Sequence, residues 1–77
     1  MAREQKRADI VAEMVANVMT VVVAPGDQLE AGDTVVLLES MKMEIPVLAE
    51  ASGTVYAVQV SQGDVVQEGD ILVTLDL

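Results

Sequence analysis

The side chain best equipped for chemistry in this sequence is a single amine. Four basic residues occur in 77 positions, and three of them, Arg3, Lys6 and Arg7, crowd the start; the fourth is Lys42. There is no cysteine and no histidine, which excludes thiol nucleophiles, disulfides, zinc fingers and imidazole general bases. Lys42 is flanked by Met41 and Met43, and beyond them by Glu39 and Glu44. Methionine is ordinarily core filler. Two methionines around a turn would hold apolar surface in water with no benefit to folding, which points to a partner that reads them. The plain alternatives are that Lys42 is a solubilising charge and that Glu39 and Glu44 are a solvated flank. Against the first stands the place of Lys42 in the chain.

That place follows from an internal repeat. Setting residues 8–40 over 45–77, a shift of 37, aligns the two without a gap, and 11 of the 33 pairs are identical. They include Ala12/Ala49, Val18/Val55, Leu38/Leu75 and two Gly-Asp pairs in each half, Gly26-Asp27 with Gly63-Asp64 and Gly32-Asp33 with Gly69-Asp70. Valine matches could follow from composition, but two Gly-Asp pairs in register mark a duplicated structural unit. Four residues have no counterpart: Met41, Lys42, Met43 and Glu44. The solitary amine therefore lies on the link between the copies.

The elements that would position it are strands. Fifteen valines, one tyrosine and no phenylalanine or tryptophan favour a pleated, half-buried surface. Each Gly-Asp pair supplies turn chemistry, with glycine free to take positive φ and aspartate able to bond local backbone. The spacing predicts strands near 8–12, 17–23, 28–30, 34–40, 44–49, 54–60, 65–67 and 71–76, in an antiparallel sandwich or flattened barrel. Strands 34–40 and 44–49 would form a tight hairpin with Lys42 at its tip. A helix competes over Arg3 to Met19, where Ile10, Val11, Met14 and Val18 fall at helical spacing. The repeat argues for strand from Ala8 onward, because the matching segment carries Pro46, unsuited to a helix interior. Residues 1–7 read as a mobile tail, leaving 8–77 as one domain with no room for a catalytic lobe.

Charge narrows the partners. The net charge is −9, and residues 8–77 hold twelve acids against one lysine, or −11. Such a surface repels phosphate backbones, so nucleic acid is not an expected partner, while a basic protein surface is. The basic start followed by apolar residues 10–24 imitates a signal peptide, but Asp9, Glu13 and Asn17 interrupt it, and it falls short of the roughly 20 residues of a membrane span. The expectation is a cytoplasmic chain without membrane contact.

Glu39-Ser40-Met41-Lys42-Met43-Glu44 resembles the attachment motif of the biotinyl domain family, usually Glu-Ala-Met-Lys-Met, and the duplication resembles that family's pseudo-twofold halves. The likeness covers nearly all of the chain after Ala8, including the Gly-Asp turns and Gly53-Thr54-Val55. It implies an all-β flattened barrel of two four-stranded sheets, with the modified lysine on a protruding hairpin. It further implies a non-catalytic biotin carboxyl carrier that binds no metal and is monomeric as an isolated domain. Biotin would be attached to Lys42 by a biotin protein ligase that reads Met41, Met43, Glu39 and Glu44. The biotin would then carry a carboxyl group from a biotin carboxylase to a carboxyltransferase acting on an acyl-CoA or keto acid. Some residues depart from the family pattern. Ser40 replaces alanine, and Glu13 and Ala16 stand where proline and glycine are common, which leaves the geometry of the first turn open. The loop from Ala24 to Asp27 is too short for the "thumb" of some bacterial carriers. Two rivals remain: a lipoyl domain, which shares the scaffold but usually sets an acidic residue and alanine about its lysine, and an unmodified acidic interaction module.

Overall fold

A computed structural model describes residues 6–77. Its eight strands are β1 (Arg7–Val11), β2 (Ala16–Val21), β3 (Gln28–Leu29), β4 (Thr34–Ser40), β5 (Met43–Leu48), β6 (Gly53–Val58), β7 (Val65–Val66) and β8 (Ile71–Asp76). They form two four-stranded antiparallel sheets, ordered β1-β8-β6-β3 and β5-β4-β2-β7. Exchanging each strand for its repeat partner turns one order into the other. Each sheet draws two strands from each half, so neither repeat can fold its sheet alone.

Six of the eleven identical pairs interlock the repeats. Ala24-Pro25-Gly26-Asp27 is a tight turn: the Asp27 amide donates to the Ala24 carbonyl (3.1 Å), the Ala24 amide donates to Asp27 Oδ2 (2.9 Å), and Gly26 has φ 95°. Proline at the second position and a positive φ at the third make this a type II turn, where a side chain in place of Gly26 would be strained. The three other Gly-Asp turns repeat these bonds. Each turn then grips the opposite half. The Gly26 amide donates to the Val55 carbonyl and Val55 donates back to the Asp27 carbonyl; Gly63 and Asp64 do the same to Val18. Gly32-Asp33 hold Ala49, and Gly69-Asp70 hold Ala12.

Packing explains the apolar runs. In the β4–β5 ladder Thr34 pairs with Leu48 and Val36 with Val47, so Val35 is an extra residue; in β1–β8 the extra residue is Leu72. A bulge lets two successive side chains point the same way, and Val35-Val36 and Leu72-Val73 are all buried. With Leu38 and Leu75 they centre the core, which alternation alone would have split between the two faces. The edges β1 and β5 leave a groove between the sheets, lined by Ile10, Val11, Val47 and Leu48. Pro46 sits on edge strand β5, where its missing N–H is tolerated.

The expected strands are all present, with ends shifted by at most two residues. β2 and β6 end early, at Val21 and Val58, although Val22 and Gln59 still donate to the Val35 and Leu72 carbonyls. The helical spacing near the start gives way to β1 and β2, because the Gly69-Asp70 turn and β8 supply backbone partners for the segment. The expected mobile tail of residues 1–7 does not hold for Lys6 and Arg7. Arg7 opens β1 opposite Asp76, and the Lys6 carbonyl accepts from the Leu77 amide at 2.8 Å; residues 1–5 lie outside the described residues. The first turn forms despite Glu13 and Ala16. Ala16 buries its methyl in the core, whereas a Cβ at its counterpart Gly53 would lie 2.6 Å from the Asp76 carbonyl oxygen.

Candidate functional site

Ser40 pairs with Met43, so β4 and β5 are joined by only two residues, Met41 and Lys42. Their φ angles are 53° and 65°. Positive φ at both central residues is the type I′ pattern, whose twist matches that of paired strands and which normally selects Asn-Gly. Here neither residue is glycine, and each occupies the left-handed region at a cost of order 1 kcal/mol. The turn is too tight to fold over its own side chains. Lys42 is exposed, Met41 is 90% exposed and Met43 63%. The tip therefore presents an amine between two apolar side chains on a backbone fixed by a six-pair ladder.

Below the tip, Glu39 and Glu44 face each other directly across the ladder, both exposed. Directly opposed like charges destabilise a strand pair. Asp76 is the repeat counterpart of Glu39, and in the β1–β8 ladder it faces Arg7, of opposite charge. Arg7 Nε donates to Asp76 Oδ1 at 2.9 Å, and the guanidinium lies 3.7 Å from the centre of the Tyr56 ring. That hydrogen bond raises the Arg7 pKa above its ordinary value. One end of the molecule is thus closed by an ion pair and the other carries two uncompensated carboxylates beside the amine.

The structure brings Met41, Lys42, Met43, Glu39 and Glu44 together on one hairpin. Sequence motifs do not reach four further residues at this end: Met14 and Val15 in the β1–β2 connection, Val65 in β7 and Ile71 in β8. The repeat alignment carries the missing signal, since their counterparts are the small or polar Ala51, Ser52, Gln28 and Thr34. Among the described residues no group of acidic, histidine or cysteine side chains is arranged to hold a metal, and no helix is long and apolar enough to cross a membrane. The exposed Lys42 amine is a group to which an acyl chain could be joined.

Known proteins share this construction. A protein of Mycobacterium tuberculosis named "Biotinylated protein TB7.3" is 71% identical over 41 residues, 53% of this chain and 58% of its own length. The "Biotin/lipoyl attachment protein" of Bacillus subtilis is 54% identical over 37 residues, 48% of this chain and 51% of its own length. The matched segments thus span little more than half of those relatives. Among solved structures, a single-chain, multi-domain long-chain acyl-CoA carboxylase matches with a TM-score of 0.85 and 30% identity, over 91% of this chain and 7% of its own. The urea carboxylase of Kluyveromyces lactis matches with a TM-score of 0.86 and 33% identity, over 97% of this chain and 7% of its own. The fold is thus one that recurs as a small part of large carboxylases. The family described as "Biotin-requiring enzyme" matches residues 6–75, so the chain belongs to the biotin/lipoyl attachment family.

Proposed function

We propose that Lys42 is the acceptor for covalent biotin and that the domain is a biotin carboxyl carrier. The observation that carries this reading is the exposed Lys42 at the tip of a two-residue turn closed by a six-pair ladder. A biotin protein ligase would join the Lys42 Nζ to the carboxyl carbon of biotinyl adenylate, with AMP leaving. Lysine is ordinarily protonated near neutral pH, so the ligase must also take a proton. This chain contributes position: a lysine moved one residue along either strand would leave the tip and face one side of the sheet. Met41 and Met43 supply apolar contact for the ligase, and Glu39 and Glu44 an attraction for a basic rim.

Once attached, biotin supplies a ring nitrogen that takes up and gives up a carboxyl group. Delivery then falls to the domain, which must bring one arm to a biotin carboxylase and next to a carboxyltransferase acting on an acyl-CoA or keto acid. The similarity to domains inside two carboxylases supports those partners, and an acidic surface favours brief docking on basic ones.

Mass spectrometry of protein isolated from its own host tests the reading. A biotin adduct on the peptide containing Lys42 is expected; a lipoyl adduct or an unmodified lysine would overturn it. Lys42→Arg keeps the charge and removes the acylable amine, so streptavidin binding should vanish while the melting temperature stays within about 2 °C, as for a surface substitution. Persistent streptavidin binding would place the biotin elsewhere.

A further inference from the structure

The two ends of the molecule share a backbone but not a surface. β2 begins at the hairpin end, where Asn17 pairs with both Glu39 of β4 and Val65 of β7. The β1–β2 connection reaches that end between Ala12, held by the Gly69-Asp70 turn, and Ala16, paired with Val66. Ile71 lies beside Val11 at the same end. Met14 (38% exposed), Val15 (64%), Val65 (66%) and Ile71 (41%) therefore sit around the base of the Lys42 hairpin. At the far end the repeat sets Ala51, Ser52, Gln28 and Thr34 in those positions. Outside the symmetric pair Val11 and Leu48, the far end exposes Val22, Leu77 and Tyr56 as large apolar side chains among the described residues, and the Tyr56 ring lies under the Arg7 guanidinium. Folding requires both ends equally, so a requirement of the fold does not account for four exposed apolar side chains at positions where the other end is small or polar.

Both ends are acidic, but the far end has Lys6 and Arg7 to offset its carboxylates. Glu13, Glu39, Glu44, Asp64, Glu68 and Asp70 are exposed around the hairpin end, and Lys42 is the one cation there among the described residues. The matching surface has an apolar floor and a basic rim. Distance selects the partner. An enzyme that acts on the lysine amine must come within the length of a four-carbon stem from the turn, so its walls must rest on whatever surrounds the hairpin. Enzymes that act on the biotin ring work a whole further arm away and need not touch this ground.

We propose that Met14, Val15, Val65 and Ile71 form a docking collar for the enzyme that acylates Lys42, extending its grip from the hairpin to the β1–β2 connection, β7 and β8. The collar rests on the reading of Lys42 as a biotin acceptor. Loss of apolar contact there weakens encounter, not the chemical step, because none of the four residues reaches the amine.

Initial rates of biotin transfer from biotin and ATP, catalysed by the host's own biotin protein ligase, test this on the unmodified full chain. Val15→Ser/Val65→Ser should raise the KM for the carrier at least tenfold with kcat within twofold and an unchanged melting temperature. Val15→Lys, which opposes a basic rim, should do the same on its own. Val22→Ser, at the far end, should alter neither constant. Unchanged KM in both collar variants overturns the collar while leaving Lys42 as acceptor; failure of the wild-type chain to accept biotin overturns both. Slower carboxylation of the biotinylated variants with normal ligation, or a dimer that the variants dissociate, would also overturn it by assigning the collar to another partner.

Discussion

At the scale of single residues, the site is a place where local preference is overruled. Met41 and Lys42 hold φ of 53° and 65°, in a region that asparagine and glycine occupy more readily. The strain is tolerated because six ladder pairs from Thr34 to Ser40 and Leu48 to Met43 fix where the chain must reverse. Replacing the pair by the turn's preferred residues, Met41→Asn/Lys42→Gly, should stabilise the fold by about 1 kcal/mol, a rise of about 4–8 °C in melting temperature for a domain of this size. The same variant should accept no biotin. Thermal unfolding by circular dichroism checks the first point, and an unchanged or lower midpoint would show that the turn is unstrained.

At the scale of elements, the β4–β5 hairpin and the β8–β1 pair occupy equivalent positions in the repeat and carry opposite electrostatics. Glu39 faces Glu44 where Asp76 faces Arg7. Glu44→Arg copies the ion-paired end onto the hairpin. It should stabilise the domain by a few tenths of a kcal/mol up to about 1 kcal/mol at low salt. The gain should shrink as ionic strength rises, since both side chains are exposed. Urea titrations at two salt concentrations measure it. Slower biotinylation of the same variant would show that the carboxylates are kept for a partner at some loss of stability.

At the scale of the whole molecule, the two halves are interlocked, and damage to either should be felt equally. Leu38 and Leu75 are repeat counterparts, both buried at the centre of a single core. Leu38→Ala and Leu75→Ala should each destabilise by about 2–5 kcal/mol, a large share of the stability of so small a domain. Their denaturation curves should nearly coincide and remain single transitions. Two separate transitions, or a large difference between the variants, would mean that the halves unfold independently.

Much of this was legible in the sequence because the duplication prints each structural demand twice. The eleven identities hold eight of the thirteen buried apolar residues and the Gly-Asp turns with the residues they grip, and the unmatched four residues coincide with the tip of the β4–β5 hairpin. The strand positions could be placed without coordinates, as could the hairpin that carries Lys42 with its methionine and glutamate neighbours, and the resemblance of that motif supplied the family. What the sequence left open depends on pairing between distant segments. The bulges at Val35 and Leu72, the incorporation of Arg7 into β1 through Asp76 and Tyr56, and the gathering of Met14, Val15, Val65 and Ile71 about the tip each arise from cross-strand register. A one-dimensional pattern records which residues are apolar or charged. Only the closed sheets decide which of them share an end of the molecule, because hydrogen-bonded register brings together residues dozens of positions apart.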